Sequence, residues 1–240
     1  MTDSKALLTA MRFADSMLPV GTYTASYGIE QYLNEGSVET AEQLGDLIEG
    51  YLHGVIGPAE IVALGHAHRA ATTGDCNEMQ AADERLGAAT LPVEFRESSK
   101  KAGGKLLELL DDSNDNLLAD TDTETDGSIV EYIADYQDGR TAGYLPVVLG
   151  VVCQASGLEC REAALVSAYG TVTGLLAAAQ RLGRFGHTAI QTQLSNLFPV
   201  IETICTEYHD VDLHAIYSFA PLVDVMGMNH ERADRRLFSS

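Results

Sequence analysis

The chain has 240 residues, 45% of them hydrophobic, which is enough to bury one sizeable core, so we expect a single domain spanning residues 1–240. It carries 35 acidic residues against 15 basic ones, a formal net charge of -20 at pH 7. A field of this sign repels phosphate backbones and anionic lipids, which excludes nucleic acids and membrane surfaces as expected partners.

The acidic, lysine-poor composition also suggests a habitat of high salt concentration, so we hypothesise a halophilic protein. Dissolved salt screens the repulsion between exposed charges of the same sign. We therefore expect the thermal midpoint of unfolding to rise between dilute buffer and molar chloride. A midpoint that stays flat or falls over this range in calorimetry would contradict the hypothesis.

The N-terminal residues, MTDSKALLTAMRF, predict a helix rather than a secretory leader. They carry an acidic residue early, and they lack the long apolar centre and the small-residue cleavage site of a signal peptide. We therefore expect a cytoplasmic protein.

The next stretch, SMLPVGTYTASYGIE, combines a proline, two glycines and several hydroxyl side chains between two apolar segments. It lacks the G-x-x-x-x-G-K-[ST] pattern of a phosphate-binding loop. It also has Thr24 where a nucleophile elbow needs glycine, in a helical context. We predict a structured turn that presents Tyr23 and Tyr27, with Ser26 and Glu30 opening the next helix. Tyrosines are frequent anchors of protein interfaces.

Most of the remaining chain predicts α-helices. In TAEQLGDLIEGYLHGV, Thr40 and Gln43 have the spacing of a capping box, and apolar residues follow at the helical period. Gly157 is placed to end the helix in YLPVVLGVVCQAS. Four prolines stand where helices are predicted to begin, namely Pro58, Pro92, Pro199 and Pro221. With about ten helices and no convincing strand pattern, the predicted fold is an all-α, single-domain bundle.

The longest uncharged run, AALVSAYGTVTGLLAAAQ at residues 163–180, is close to the length of a membrane span. It is rich in alanine, glycine, serine and threonine, and no other stretch resembles it. We predict that it forms a helix buried inside the bundle.

An acidic segment, DDSNDNLLADTDTETDGS, interrupts the helical pattern at residues 111–128. It has seven acidic residues and few apolar ones, so it cannot bury enough surface to order itself, and we predict a mobile exposed loop. A helix is predicted to follow, with Ser128 and Glu131 as its capping box.

The acidic segment begins with the D-D-x-x-D spacing by which all-α isoprenoid synthases hold magnesium against a diphosphate. Such an enzyme is the alternative function, and it predicts diphosphate binding that depends on Asp111 and Asp112. The sequence lacks the second acidic cluster and the several cations that a synthase needs. A solvated acidic loop is therefore the favoured interpretation.

The stretch LPVGTYTASYGIE resembles the N-terminal signature of the family of the urease accessory protein UreF, L-P-[VI]-G-x-[FY]-x-x-S-x-G-[LIM]-E. Further stretches resemble segments of the same family in the same order, namely FRESSKKAGGKLLELL, LPVVLGVVCQASGLE and QRLGRFGHTAIQ. The final MNHERADRRLFSS is similar to the family ending H-E-x-x-x-x-R-L-[FY]-x-S. In QRLGRFGHTAIQ, Arg181, Arg184 and His187 replace the usual Lys, Pro and Gln.

The resemblance implies an all-α scaffold that is not an enzyme and has no cofactor. It implies a protein that dimerises, binds the accessory protein UreD (UreH in some organisms) and recruits the GTPase UreG, so that nickel reaches apo-urease. Tyr23 would be the aromatic residue of the loop, and Arg236 the cation of the C-terminal segment. By position, the partner-binding residues implied are Tyr23, Ser26, Tyr27, Glu30, Arg181 and Arg236.

Overall fold

The computed structural model describes residues 4–22, 25–111, 126–233 and 237–238. In these ranges the chain forms the α-helices α1 (Ser4–Ala14), α2 (Ile29–Asn34), α3 (Ala41–Tyr51), α4 (Val62–Thr73), α5 (Cys76–Ala89), α6 (Val93–Asp111), α7 (Asp126–Gln137), α8 (Leu145–Ala155), α9 (Cys160–Arg181), α10 (His187–Tyr208) and α11 (Pro221–Glu231). A π-helical stretch, Leu52–Ile61, joins α3 to α4, and a short 3-10 turn, Leu213–Ala215, precedes α11. The prediction of an all-α fold is confirmed for the described residues. The ranges α3 and α4 belong to one continuous helix, so the number of helices agrees with the predicted number of about ten.

Several helix boundaries lie where the local sequence predicts them. The Thr40 hydroxyl accepts a hydrogen bond from the Gln43 backbone, and the Gln43 side chain accepts one from the Thr40 backbone, which completes the capping box. Gly157 has a left-handed φ of 76° just beyond α8, as the end of a helix commonly requires. The helix α6 begins directly after Pro92, and α11 begins at Pro221.

The helix starts predicted at Pro58 and Pro199 are wrong, because both prolines lie inside helices. A proline has no N–H to donate, so an interior proline leaves a carbonyl of the preceding turn without its usual partner. Around Pro58, the segment before α11 supplies replacement donors. The backbone nitrogen of Phe219 donates to the Gly54 carbonyl at 2.8 Å, and that of Tyr217 donates to the Pro58 carbonyl at 3.2 Å. These donors lie about 160 residues away in sequence, so no local pattern predicts them.

The predicted bounds of the acidic loop, residues 111–128, are wrong at both ends, because Asp111 lies in α6 and residues 126–128 lie in α7. The predicted capping position, Ser128, lies two residues inside this helix, which starts at Asp126. Residues 112–125, with most of the D-D-x-x-D pattern, lie outside the described residues.

The centre of the bundle depends on a close approach between α4 and α8. Gly150 of α8 faces the backbone of α4, where an added Cβ would overlap the Leu64 carbonyl oxygen and lie 3.2 Å from the His68 backbone nitrogen. On α4 itself, an added Cβ at Gly65 would overlap the carbonyl oxygen of His209, beyond the end of α10. Only glycine permits these separations between the backbones.

Two continuous helices, Ala41–Thr73 and Cys160–Arg181, are long and apolar enough to cross a membrane by length and composition. In their most apolar stretches, 61% and 56% of the residues are buried within the protein. The uncharged run at residues 163–180 lies in the second of these helices, which packs in the core of the bundle.

Candidate functional site

The turn between α1 and α2 has an unusual backbone that α3 and α11 hold in place. Tyr27 and Gly28 have left-handed φ values of 46° and 80°, and Gly28 rather than Ser26 is the N-cap of α2. The Tyr51 hydroxyl donates to the Tyr27 carbonyl at 2.5 Å. An added Cβ at Gly28 would lie 3.4 Å from the backbone nitrogen of Gly227 in α11. The positive φ and the nearby backbone both explain why glycine stands at position 28.

The Ser26 and Tyr27 side chains pack into the chain instead of standing out from the turn. Ser26 is fully buried, and the Tyr27 ring packs edge-on against Phe95 with a centroid separation of 5.3 Å. Burial, followed by the negative charge of Glu60, raises the pKa of Tyr27 above its ordinary value. Binding of a partner by either residue remains a prediction.

Glu30, in the first turn of α2, connects the N-terminal part of the chain to its C-terminal segment by hydrogen bonds. Its side chain is 3% exposed. The Leu237 backbone nitrogen donates to Oε1 and Oε2 of Glu30 at 2.9 and 3.2 Å, and the Phe238 backbone nitrogen donates to Oε2 at 3.1 Å. We refer to Leu237 and Phe238 as the tail. The carboxylate therefore accepts hydrogen bonds from two consecutive backbone amides of the tail.

A buried histidine, His230 of α11, lies between two carboxylates. Its Nε2 lies 3.1 Å from Oε2 of Glu30, and its Nδ1 lies 2.8 Å from Oε2 of Glu94 in α6. Carboxylates only accept hydrogen bonds, so each contact is satisfied when the ring nitrogen that faces it carries hydrogen. In turn, Glu231 accepts a hydrogen bond from the Glu94 backbone nitrogen at 3.0 Å, which fixes the start of α6 on α11.

The tail has a second contact at the end of α9. The guanidinium carbon of Arg181 lies 4.8 Å from the centroid of the Phe238 ring, in cation–π geometry. The tail thus bridges α2 and α9, and two of the predicted site residues, Glu30 and Arg181, contact it directly. Two further predicted site residues, Tyr23 and Arg236, lie outside the described residues.

A cavity of about 140 Å³ lies beneath the opening turn, and Glu60 of the π-helical stretch lines it together with Tyr27, Ser99 and Arg181. Glu60 is half-buried and lines this cavity. Burial raises the pKa of Glu60 from 4.5 to about 7. The carboxyl therefore changes its charge near neutral pH, a property that no sequence motif indicated.

The described part of the chain contains no group of three or more histidine, cysteine, aspartate or glutamate side chains that could hold a metal ion. The D-D-x-x-D pattern falls largely outside that part.

Comparison with known proteins identifies the family. A family model described as UreF matches residues 38–198 of the chain. The chain belongs to the UreF family. It is similar over 239 residues, at 28% identity, to a protein of Trichodesmium erythraeum (strain IMS101) named urease accessory protein UreF, with 100% of this chain and 99% of that protein covered. Proteins of the same name from Yersinia pseudotuberculosis serotype IB (strain PB1/+) and Yersinia pestis (strain Pestoides F) are 31% identical over 236 residues, with 98% of each chain covered.

The UreF-like motifs include several residues of this site, but the site residues predicted from these motifs do not include the histidine at its centre. The ending that resembles H-E-x-x-x-x-R-L-[FY]-x-S begins with His230, which was not chosen as a site residue. Glu94 and Glu60 belong to no quoted family pattern. A histidine in a segment that also carries a family motif is the signal that could have singled out His230.

Proposed function

We propose that this protein is a non-enzymatic assembly factor of urease, which binds UreD (UreH) and recruits the GTPase UreG so that nickel is delivered to apo-urease. Family membership and relatives named urease accessory protein UreF, matched over nearly their whole length, support a role in urease maturation. The named partners come from the resemblance of the motifs. A homodimer within the assembly and a cytoplasmic location are parts of the same proposal.

The observation that carries the proposal is the contact between the two ends of the chain at Glu30. Glu30 closes the N-terminal motif, whereas His230, Leu237 and Phe238 belong to the C-terminal motif. The two motifs that carry most of the resemblance therefore form one structural unit. A scaffold needs a surface that binds partners rather than a catalytic site. A surface formed by segments that are distant in sequence meets that need.

Co-purification with UreD-like and UreG-like proteins at high salt concentration tests this proposal. We expect a stable complex that forms without substrate turnover. If neither partner is retained by the folded chain, the proposed function is wrong.

A series of arginine variants tests the part of the C-terminal segment in this function. We expect Arg236→Lys and Arg236→Ala both to impair capture of the UreG-like GTPase when the UreD-like partner is present, because lysine cannot reproduce the planar fork of donors. Arg232→Ala and Arg235→Ala are the matched controls and should be much milder. Equal losses at all three positions in pull-downs would indicate ordinary electrostatics of a basic segment.

Tyr23 offers a test at the other end of the chain. If Tyr23 is an interface anchor, Tyr23→Ala should weaken partner capture about 30-fold, the equivalent of an anchor worth about 2 kcal/mol. Helix content and the thermal midpoint should stay nearly unchanged in circular dichroism. A large loss of stability with unchanged binding per folded molecule would make Tyr23 a core residue instead.

A further inference from the structure

The cavity of about 140 Å³ beneath the opening turn has one polar end. Tyr27, Glu60, Ser99 and Thr171 line this cavity, and the same residues line a smaller cavity of about 30 Å³. They therefore lie together, in the wall that the two cavities share. A carboxyl and several hydroxyl side chains at one end of a pocket are typical of a ligand site.

The Glu60 carboxyl has no hydrogen-bond or ion-pair partner among the described residues. Burial raises the pKa of Glu60, and no cation of the described chain lies close enough to lower it again. Arg181 is the one cation among the described residues that line the cavity, and its guanidinium lies over the Phe238 ring. A carboxylate in this position is stabilised by a cation that enters from outside.

The remainder of the cavity is mainly apolar, and α9 keeps it open with small side chains. At Gly170 and Gly174, which line it, an added Cβ would meet no heavy atom of the described residues within 4 Å, apart from the neighbouring backbone of α9 itself. Glycine destabilises a helix compared with larger helix formers, so α9 loses stability by leaving this space empty. The apolar lining comes from several elements and includes Phe13, Leu18, Val20, Leu149, Val166 and Leu175.

The size and the lining of the cavity favour a small organic ligand over a metal ion. A hard metal cation needs several oxygen ligands together, and the described residues contain no group of three or more side chains that could hold a metal. An apolar cavity of about 150 Å³ in another protein binds benzene, which indicates the size of ligand that fits. The cavity reaches the surface at the end of α1, where the exposed Asp15 and Ser16 line it.

We propose that this cavity binds a small organic ammonium ion, whose charged group contacts Glu60 and whose hydrocarbon part lies against α9. An ammonium group supplies both the positive charge and the hydrogen-bond donors that the carboxylate lacks. The inference does not rest on the proposed function, because it concerns a ligand of the chain without its partners.

Titration of the full chain with n-butylammonium chloride, followed by NMR in constant salt, tests the inference. The titration is run at pH 8, where the Glu60 carboxyl is mostly ionised, because burial raises the pKa of Glu60 only to about 7. We expect saturable binding, with the largest chemical-shift changes at the backbone amides of Tyr27, Glu60 and Thr171. Absence of saturable binding would overturn the proposal.

Two comparisons isolate the charge. Glu60→Gln should bind n-butylammonium at least about tenfold more weakly, because the charged acceptor is lost. The neutral 1-butanol, of the same size, should bind the unmodified chain at least about tenfold more weakly than n-butylammonium. Asp15→Asn is the matched control, since Asp15 lines the same cavity but is exposed, and it should change the affinity less than about twofold. Equal affinity of Glu60→Gln and the unmodified chain would overturn the proposal.

Gly174→Leu tests the position of the ligand and keeps the test decisive if Glu60→Gln does not fold. The added side chain extends into the cavity and leaves the Glu60 carboxyl in place. We expect n-butylammonium to bind at least about tenfold more weakly. Undiminished binding would place the ligand outside the cavity and overturn the proposal.

Nickel chloride, titrated in the same way, is the probe for a metal site. Saturable nickel binding that Glu60→Gln abolishes, in a chain that does not bind n-butylammonium, would assign the cavity to a metal ion and overturn the proposal. All of these titrations use the chain without partners, so a failure of the proposed function would leave their results unchanged.

Discussion

Replacing Gly150 with alanine is expected to lower the free energy of unfolding by about 3 kcal/mol, the upper part of the range for overpacked cores. The new methyl group would overlap the Leu64 carbonyl oxygen and lie 3.2 Å from the His68 backbone nitrogen, so the obstacle is the backbone of a helix and not a mobile side chain. The helices α4 and α8 would have to separate, and the core between them would lose its close packing. Urea unfolding followed by circular dichroism measures the change.

Gly174→Ala is the matched control, since it adds the same atom within the helix α9. Apart from the neighbouring backbone of α9 itself, no heavy atom of the described residues lies within 4 Å of the position of its added Cβ. There the higher helix propensity of alanine should stabilise the protein by up to about 1 kcal/mol. If Gly150→Ala proved as stable as Gly174→Ala, α4 and α8 would not approach as closely as the structure shows.

Glu60→Gln is expected to stabilise the protein at pH 8 and to leave its stability nearly unchanged at pH 5. In the unfolded chain the carboxyl titrates near 4.5, whereas in the folded protein burial raises the pKa of Glu60 to about 7. Between these values the folded state retains a proton that the unfolded state has lost, so the stability falls as the pH rises through this window. At about 1.36 kcal/mol per pKa unit, the burial of this charge costs up to about 3 kcal/mol above pH 7. The neutral glutamine avoids that cost.

Denaturant unfolding at pH 5 and pH 8 in the same salt measures this difference. The comparison between the two proteins isolates Glu60 from other buried acids with a raised pKa, such as Asp83. The exposed Glu207 of α10 provides the control, and Glu207→Gln should change the stability little at either pH. A stabilisation by Glu60→Gln that is equal at both pH values would show that the charge of the carboxyl is not its cause.

Local signals in the sequence were sufficient where a helix boundary depends on neighbouring residues. The capping box of Thr40 and Gln43 and the glycine at position 157 act within a few residues of themselves, so the fold class and several helix ends could be predicted. Pro58 shows the limit of such reasoning. Its place inside a helix depends on donors from Phe219 and Tyr217, which only tertiary packing brings close.

For the candidate site, too, local sequence signals identify some residues, whereas tertiary packing determines the rest. Glu30 could be chosen from a motif, but the motif does not show whether a residue faces outward or into the core. Glu30 contacts His230 of α11 and the backbone of the tail, and it is buried there. Pairing with His230 spans 200 residues, and no spacing rule connects positions so far apart. The titration of Glu60 depends on enclosure by several helices, which composition cannot reveal.

The distance in sequence between Glu30 and its donors also has a consequence for biosynthesis. Leu237 follows Glu30 by 207 residues, so at about 5–20 residues per second a ribosome needs about 10–40 s to supply that amide after Glu30 is made. During this interval α2 can form, but the Glu30 carboxylate lacks both its partner His230 and the tail. In a nascent chain that has already folded α1 to α10, the Glu30 carboxylate therefore still accepts no hydrogen bond from the tail. The Glu30 carboxylate therefore gains its hydrogen bonds from Leu237 and Phe238 only after the helices α1 to α11 have been translated.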